Sequence, residues 1–167
     1  MSIVVRELAP HVVELRLDRP ERMNALSVAM VEAMPEALAG IAAGTARILV
    51  ISASGRAFCA GADLKERREM DAAQRLAHNA GINAAINAVA ALPMPTLAAI
   101  NGAALGGGCE LALACDLRIA AEQASIGLTE SRIGVYPAAG GTQRLPRLVG
   151  ASRALELMFT AEPVSGR

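Results

Sequence analysis

Asn101-Gly-Ala-Ala-Leu-Gly-Gly-Gly-Cys-Glu-Leu-Ala-Leu-Ala-Cys-Asp116 is the stretch that decides how this chain is read. Residues 97–100 run into it as a short apolar strand, and Gly106, Gly107 and Gly108 open a helix with apolar neighbours on every side. Glycine at a helix start lets the backbone come close to a ligand, and the first turn leaves amide N–H groups without intrahelical partners. Together with the positive end of the helix, those amides favour negative charge on a bound oxygen. Glu110 then places a carboxyl group in the first turn. Donors for a developing oxyanion beside an acid–base carboxylate make a catalytic pair. The plainer alternative is a tight turn followed by a glutamate that compensates the helix dipole. The stretch is not a mononucleotide loop, because no Gly-Lys-Ser/Thr follows the glycines, and the spacing from Gly102 to Gly106 fails the dinucleotide fingerprint.

On the N-terminal side, residues 3–8 and 11–17 read as a hairpin. Val13, Leu15 and Leu17 alternate with Glu14, Arg16 and Asp18, the period of a half-buried strand. Ser27 can cap a helix whose apolar positions Met30, Met34, Leu38 and Ile41 are spaced by three or four, and Pro35 inside it is expected to kink the helix or delay its start. Residues 47–53 form a continuous aliphatic strand of the kind buried on both faces. A loop of small residues follows, and Asp71 with Gln74 approximates a capping box for a long helix with the stripe Ile82, Ile86, Val89 and Leu92. Asn79, Asn83 and Asn87 lie one position round, on a solvated or interhelical face, and Pro93 and Pro95 stop the helix. On the C-terminal side, residues 117–121 read as a strand, 134–141 as a loop, and 142–149 and 151–159 as short helices. The rhythm of strand, strand and helix recurs about every 45 to 50 residues. It predicts an α/β chain of stacked ββα turns, a spiral in which each unit buries its face on the next, rather than a doubly wound sheet.

Composition narrows the function classes. At 167 residues the chain fits one domain, 1–167, and can bury a sizeable core. It is 53% hydrophobic with only 2% aromatics, so the core must be built from small and aliphatic side chains. With 16 basic and 16 acidic residues, nothing indicates a general affinity for nucleic acid or acidic membranes. Cys59, Cys109 and Cys115 lack metal-ligand spacing and read as buried free thiols in a reducing compartment. His11 and His78 read as strand-end and helix-surface residues. There is no secretory signal and no apolar run of about 18 residues, so a soluble cytoplasmic protein is expected.

Four blocks then fall into a known order. Arg19-Pro-Glu-Arg-Met-Asn-Ala-Leu26, Phe58-Cys-Ala-Gly-Ala-Asp-Leu-Lys65, the Asn101-to-Glu110 stretch and Ala138-Ala-Gly-Gly-Thr-Gln-Arg-Leu-Pro146 resemble, in order and spacing, the enoyl-CoA hydratase/isomerase (crotonase) superfamily. Residues 58–67, 127–130 and 140–146 lean toward its methylglutaconyl-CoA hydratase branch. The resemblance implies a crotonase-like ββα spiral acting on an acyl-CoA substrate, with neither cofactor nor metal. The backbone N–H groups of Ala62 and Gly107 match the two oxyanion-hole donors that hold the thioester carbonyl. Glu110 and Glu130 match the two catalytic glutamates on either side of one water. Glu110 would activate the water and Glu130 supply the proton at C2. Arg22, Ala60, Asp63, Leu64 and Lys65, with Ala62 and Gly107, match stretches that fold around the thioester and coenzyme A, where Lys65 or Arg22 could meet a phosphate. Cys59 and Cys109 read as small packing residues.

Family members usually continue into a mostly helical C-terminal part that supplies trimer contacts and part of the acyl pocket. This sequence lacks it, so a truncated core domain is expected, with a homotrimer or hexamer where that part is present. Hydration of a short or branched enoyl-CoA is the expected reaction. The alternatives are double-bond isomerisation on the same frame and acyl-CoA binding without turnover. Some relatives bind AU-rich RNA through lysines of the first helix. Residues 27–41 here contain no Lys or Arg, so no nucleic-acid partner is expected.

Overall fold

The computed structural model describes residues 2–167. β1 (Ile3–Ala9) and β2 (Val12–Leu17) form the expected antiparallel hairpin. Every later strand of that sheet joins in parallel: β3 (Ile48–Ala53) beside β2, β5 (Thr96–Ile100) beside β3, and β7 (Leu117–Ala120) beside β5. β4 (Ala57–Cys59), β6 (Ala103–Leu105), β8 (Ser125–Gly127) and β9 (Val164–Ser165) make a second sheet in the order β4-β6-β8-β9. Each turn of chain therefore lays one strand in the large sheet and the next in the small one before a helix follows. β3 and β4 lead to α2 (Leu64–Glu69) and α3 (Ala72–Ala90), and β5 and β6 lead to α4 (Gly107–Ala114). β7 and β8 lead to the 3-10 turn Glu130–Ile133 and α5 (Gly141–Val149). This is the ββα spiral that the sequence rhythm predicts, preceded by α1 (Val28–Ala43) and followed by α6 (Ala151–Thr160).

The core lies between the large sheet and the helices. Leu15, Leu17, Leu49, Ile51, Ala98 and Ile100 pack with the apolar stripes of α1 and α3. Burial of each leucine or isoleucine among them stabilises the fold by about 1.5–3 kcal/mol. Ser27 caps α1 by accepting from Met30 N at 3.2 Å, and the Asp71–Gln74 capping box is present at both of its hydrogen bonds. α1 starts directly after Ser27, so Pro35 does not delay it. Proline at that position leaves the Val31 carbonyl without its helical donor.

Two expectations need correction. β3 is not buried on both faces: Leu49 and Ile51 are fully buried, whereas Ile48 is 41% exposed. The helices cover only one side of the large sheet, so alternate positions of an aliphatic strand remain accessible. His78 is not a helix-surface residue: it is 5% exposed, and its Nε2 lies 3.0 Å from the Leu26 carbonyl oxygen. It stands one turn before Ile82 on the stripe that faces α1, a position its polarity disguised. Among the described residues no helix is long and apolar enough to cross a membrane.

Candidate active site

β4 and β6 are parallel neighbours, so the loops that leave their C-terminal ends emerge side by side. The first is fastened to the chain's N-terminal loop by a parallel bridge. Leu26 N donates to Gly61 O at 2.8 Å and Asp63 N donates to Leu26 O at 3.1 Å. Successive N–H groups of extended backbone point to opposite sides. With residues 61 and 63 committed to Leu26, the Ala62 N–H faces away from the bridge. Gly107 supplies the first N–H of α4, which has no intrahelical acceptor. Among the described residues neither amide donates a hydrogen bond. A Cβ built on Gly107 would lie 3.6 Å from Gly61 Cα and 3.8 Å from Ala62 N, so the two free donors stand close together. The approach depends on Gly108, where a Cβ would come within 2.0 Å of the Cys59 carbonyl oxygen.

Asn24, fully buried in the N-terminal loop, sets the position of the bridge. Its Nδ2 donates to Ser54 O and Ala57 O, each at 2.8 Å, and its Oδ1 accepts from Arg19 N at 2.8 Å. Arg19 in turn donates to Asp63 Oδ2 at 2.7 Å. Asp63 Oδ1 caps α2 by accepting from Lys65 N and Glu66 N at 3.0 and 3.2 Å. Burial pushes the Asp63 carboxyl up, but Arg19 and the two amides outweigh it and hold its pKa below the usual range.

Glu110 is 3% exposed, on the first turn of α4. Its Oε1 accepts from Ala139 N at 2.7 Å and Gly141 N at 2.9 Å. Burial, assisted by repulsion from Glu130, pushes its pKa up to about 7 against these stabilising hydrogen bonds. Glu130 opens the 3-10 turn Glu130–Ile133, half-buried, with Oε2 buried and unpartnered. Its pKa is also raised by burial. Its carboxyl lies over the glycine turn: a Cβ on Gly106 would be 3.2 Å from Glu130 Oε1.

These groups meet in one cavity of about 630 Å³, a size suited to a small-molecule ligand. Glu110, Glu130, Ala62 and Gly107 all line it, as do Ala60 and Leu64. Arg22, Asp63 and Lys65 do not line it, and Lys65 is solvent-exposed. The Asp63 side chain is already committed to Arg19 and the α2 cap. Arg67, Asn79 and Asn83 line the cavity without having been singled out as site residues. For Asn79 and Asn83 the signal was the asparagine line one position round from the α3 stripe, because a polar row beside a core stripe faces whatever the helix borders next; Arg67 on α2 carried no such signal. The arrangement can place two free N–H donors and two carboxyl groups of raised pKa around one small substrate.

A sequence family described as enoyl-CoA hydratase/isomerase matches residues 7–167. An enoyl-CoA isomerase/hydratase of Mycosarcoma maydis is 48% identical over 89% of this chain and 58% of its own length. Human mitochondrial methylglutaconyl-CoA hydratase is 44% identical over 93% of this chain and 47% of its own length. The crystal structure of an enoyl-CoA hydratase from Bacillus anthracis superposes with a TM-score of 0.96 at 48% identity, covering 99% of this chain and 65% of that one. The chain thus spans about half to three fifths of the length of these curated relatives.

Proposed function

The chain belongs to the enoyl-CoA hydratase/isomerase family, and from that premise we propose that its site adds water across the 2,3 double bond of a short or branched enoyl-CoA. The observation that carries this reading is one cavity lined by both free amides and both carboxyl groups of raised pKa. The thioester carbonyl oxygen accepts from Ala62 N and Gly107 N. As water oxygen bonds to C3, Glu110 takes the water proton and the electron pair of the double bond shifts toward the thioester oxygen. The two amides stabilise that enolate charge by a few kcal/mol each. The pair then returns to C2, which takes a proton from Glu130. A Glu110 pKa of about 7 suits a base at neutral pH, and burial keeps Glu130 protonated more readily than a free carboxyl. No step needs a cofactor or metal.

Loss of the conjugated enoyl thioester absorbance with crotonyl-CoA or 3-methylglutaconyl-CoA tests the proposal. Glu110→Gln and Glu130→Gln are each expected to lower kcat by about 10²- to 10⁴-fold. Hydration by either variant at the wild-type rate overturns the assignment. Double-bond isomerisation is the second reading, favoured by the isomerase named among the similar proteins. Retention of two carboxylates favours hydration, and product analysis with a 3-enoyl thioester separates the two.

A further inference from the structure

We propose that Arg144 is a positioning residue for Glu110, a brace that ties the loop holding this carboxylate to α3; its catalytic consequence rests on the hydration reading. Glu110 receives both of its hydrogen bonds from the amides of Ala139 and Gly141. Gly140, between them, has φ +102°, and a Cβ there would stand 1.9 Å from Arg144 Nη1. The guanidinium therefore occupies the space that a side chain at residue 140 would need. Nη1 donates to Ala139 O at 2.8 Å, and Nη2 donates to Asn87 Oδ1 on α3 at 2.8 Å. Ala139 is gripped on two sides, its N–H by Glu110 and its carbonyl by Arg144. Arg144 does not line the cavity, so it acts through the loop.

The planar fork of arginine spans two acceptors in fixed directions, whereas a lysine ammonium is a single point. The charged groups around Glu110 are Glu130 from the 3-10 turn, which raises its pKa, and Arg144 from α5, which lowers it. Arg67 of α2 and Arg132 lie elsewhere on the lining. The brace thus holds the Glu110 carboxyl in place and favours its ionised form against burial.

The test is a ¹³C NMR titration of labelled glutamate carboxyls, with the Glu110 signal assigned through Glu110→Gln, alongside kcat and KM for crotonyl-CoA. In Arg144→Met the Glu110 midpoint is expected to rise, because the cation that favours the ionised carboxylate is gone. Its kcat should fall about 10- to 100-fold with KM little changed. Arg144→Lys should bring the midpoint back toward wild type without restoring kcat, a split that a merely structural role would not produce. Asn87→Ala leaves the charge in place but removes one anchor, so a smaller loss of kcat is expected even if Arg144→Met fails to fold. A wild-type Glu110 midpoint in Arg144→Met, or wild-type kcat in both Arg144→Lys and Asn87→Ala, overturns the proposal. If the wild-type protein hydrates no enoyl thioester, the hydration reading fails, and the Glu110 titration still decides the role of Arg144.

Discussion

Glu110 carries a cost to the fold that its chemistry requires. Its pKa is near 4.5 in the unfolded chain and about 7 in the fold. Between those values the folded state binds the proton that the unfolded state has released, so stability falls as pH rises through this window. The full contribution is present below the unfolded pKa and is lost by the folded one, a difference of a few kcal/mol. Gln at this position accepts from Ala139 N and Gly141 N without ionising. Glu110→Gln is therefore expected to melt at a higher temperature than wild type above pH 7 and at the same temperature below pH 4.5. Calorimetry across that range checks it, and equal melting temperatures at high pH contradict it.

The elements around the site are held by contacts that leave little space. α4 approaches β4 so closely that Gly108 has the Cys59 carbonyl where its Cβ would be, at 2.0 Å. Gly108→Ala must push α4 away from the loop after β4, and the Ala62 and Gly107 amides move apart with it. We expect a destabilisation of about 1–3 kcal/mol and a kcat loss larger than stability alone explains. A variant that melts lower but turns over at the wild-type rate would show that the two donors are not the catalytic pair. At the same scale, α3 presents two functions that its sequence blends. The stripe of Ile82, Ile86 and Val89 enters the core beside the buried His78, while Asn79 and Asn83 line the cavity and Asn87 receives the Arg144 brace.

For the whole molecule, exposed apolar surface is the dominant feature. Ile133, Val135 and Tyr136 at the cavity rim are 59%, 53% and 70% exposed, and Phe159 on α6 is 75% exposed. Leu117 and Ile119 on the edge strand β7 are 63% and 65% exposed. Soluble monomers seldom leave so many large apolar side chains in water, and a net charge of zero does not oppose association. The 167-residue polypeptide is expected to self-associate at micromolar concentration; a single monomeric boundary in sedimentation velocity contradicts this.

The sequence alone determined the ββα rhythm, the helix caps at Ser27 and Asp71, and the Gly106-to-Glu110 turn with its unsatisfied amides. Each of these is a local consequence of residue type and spacing. Glu130 was legible only through the resemblance, because one carboxylate after a short strand has many ordinary uses. Tertiary structure decided the rest. It showed that helices cover one side of β3 and that His78 is interior. It also showed that the Asp63 carboxyl is engaged by Arg19, 44 positions away, and that Arg144 braces the loop that holds Glu110. Exposure, ion-pair choice and the pKa of a buried carboxyl depend on what other turns of the spiral bring alongside, and adjacency along the chain does not encode that.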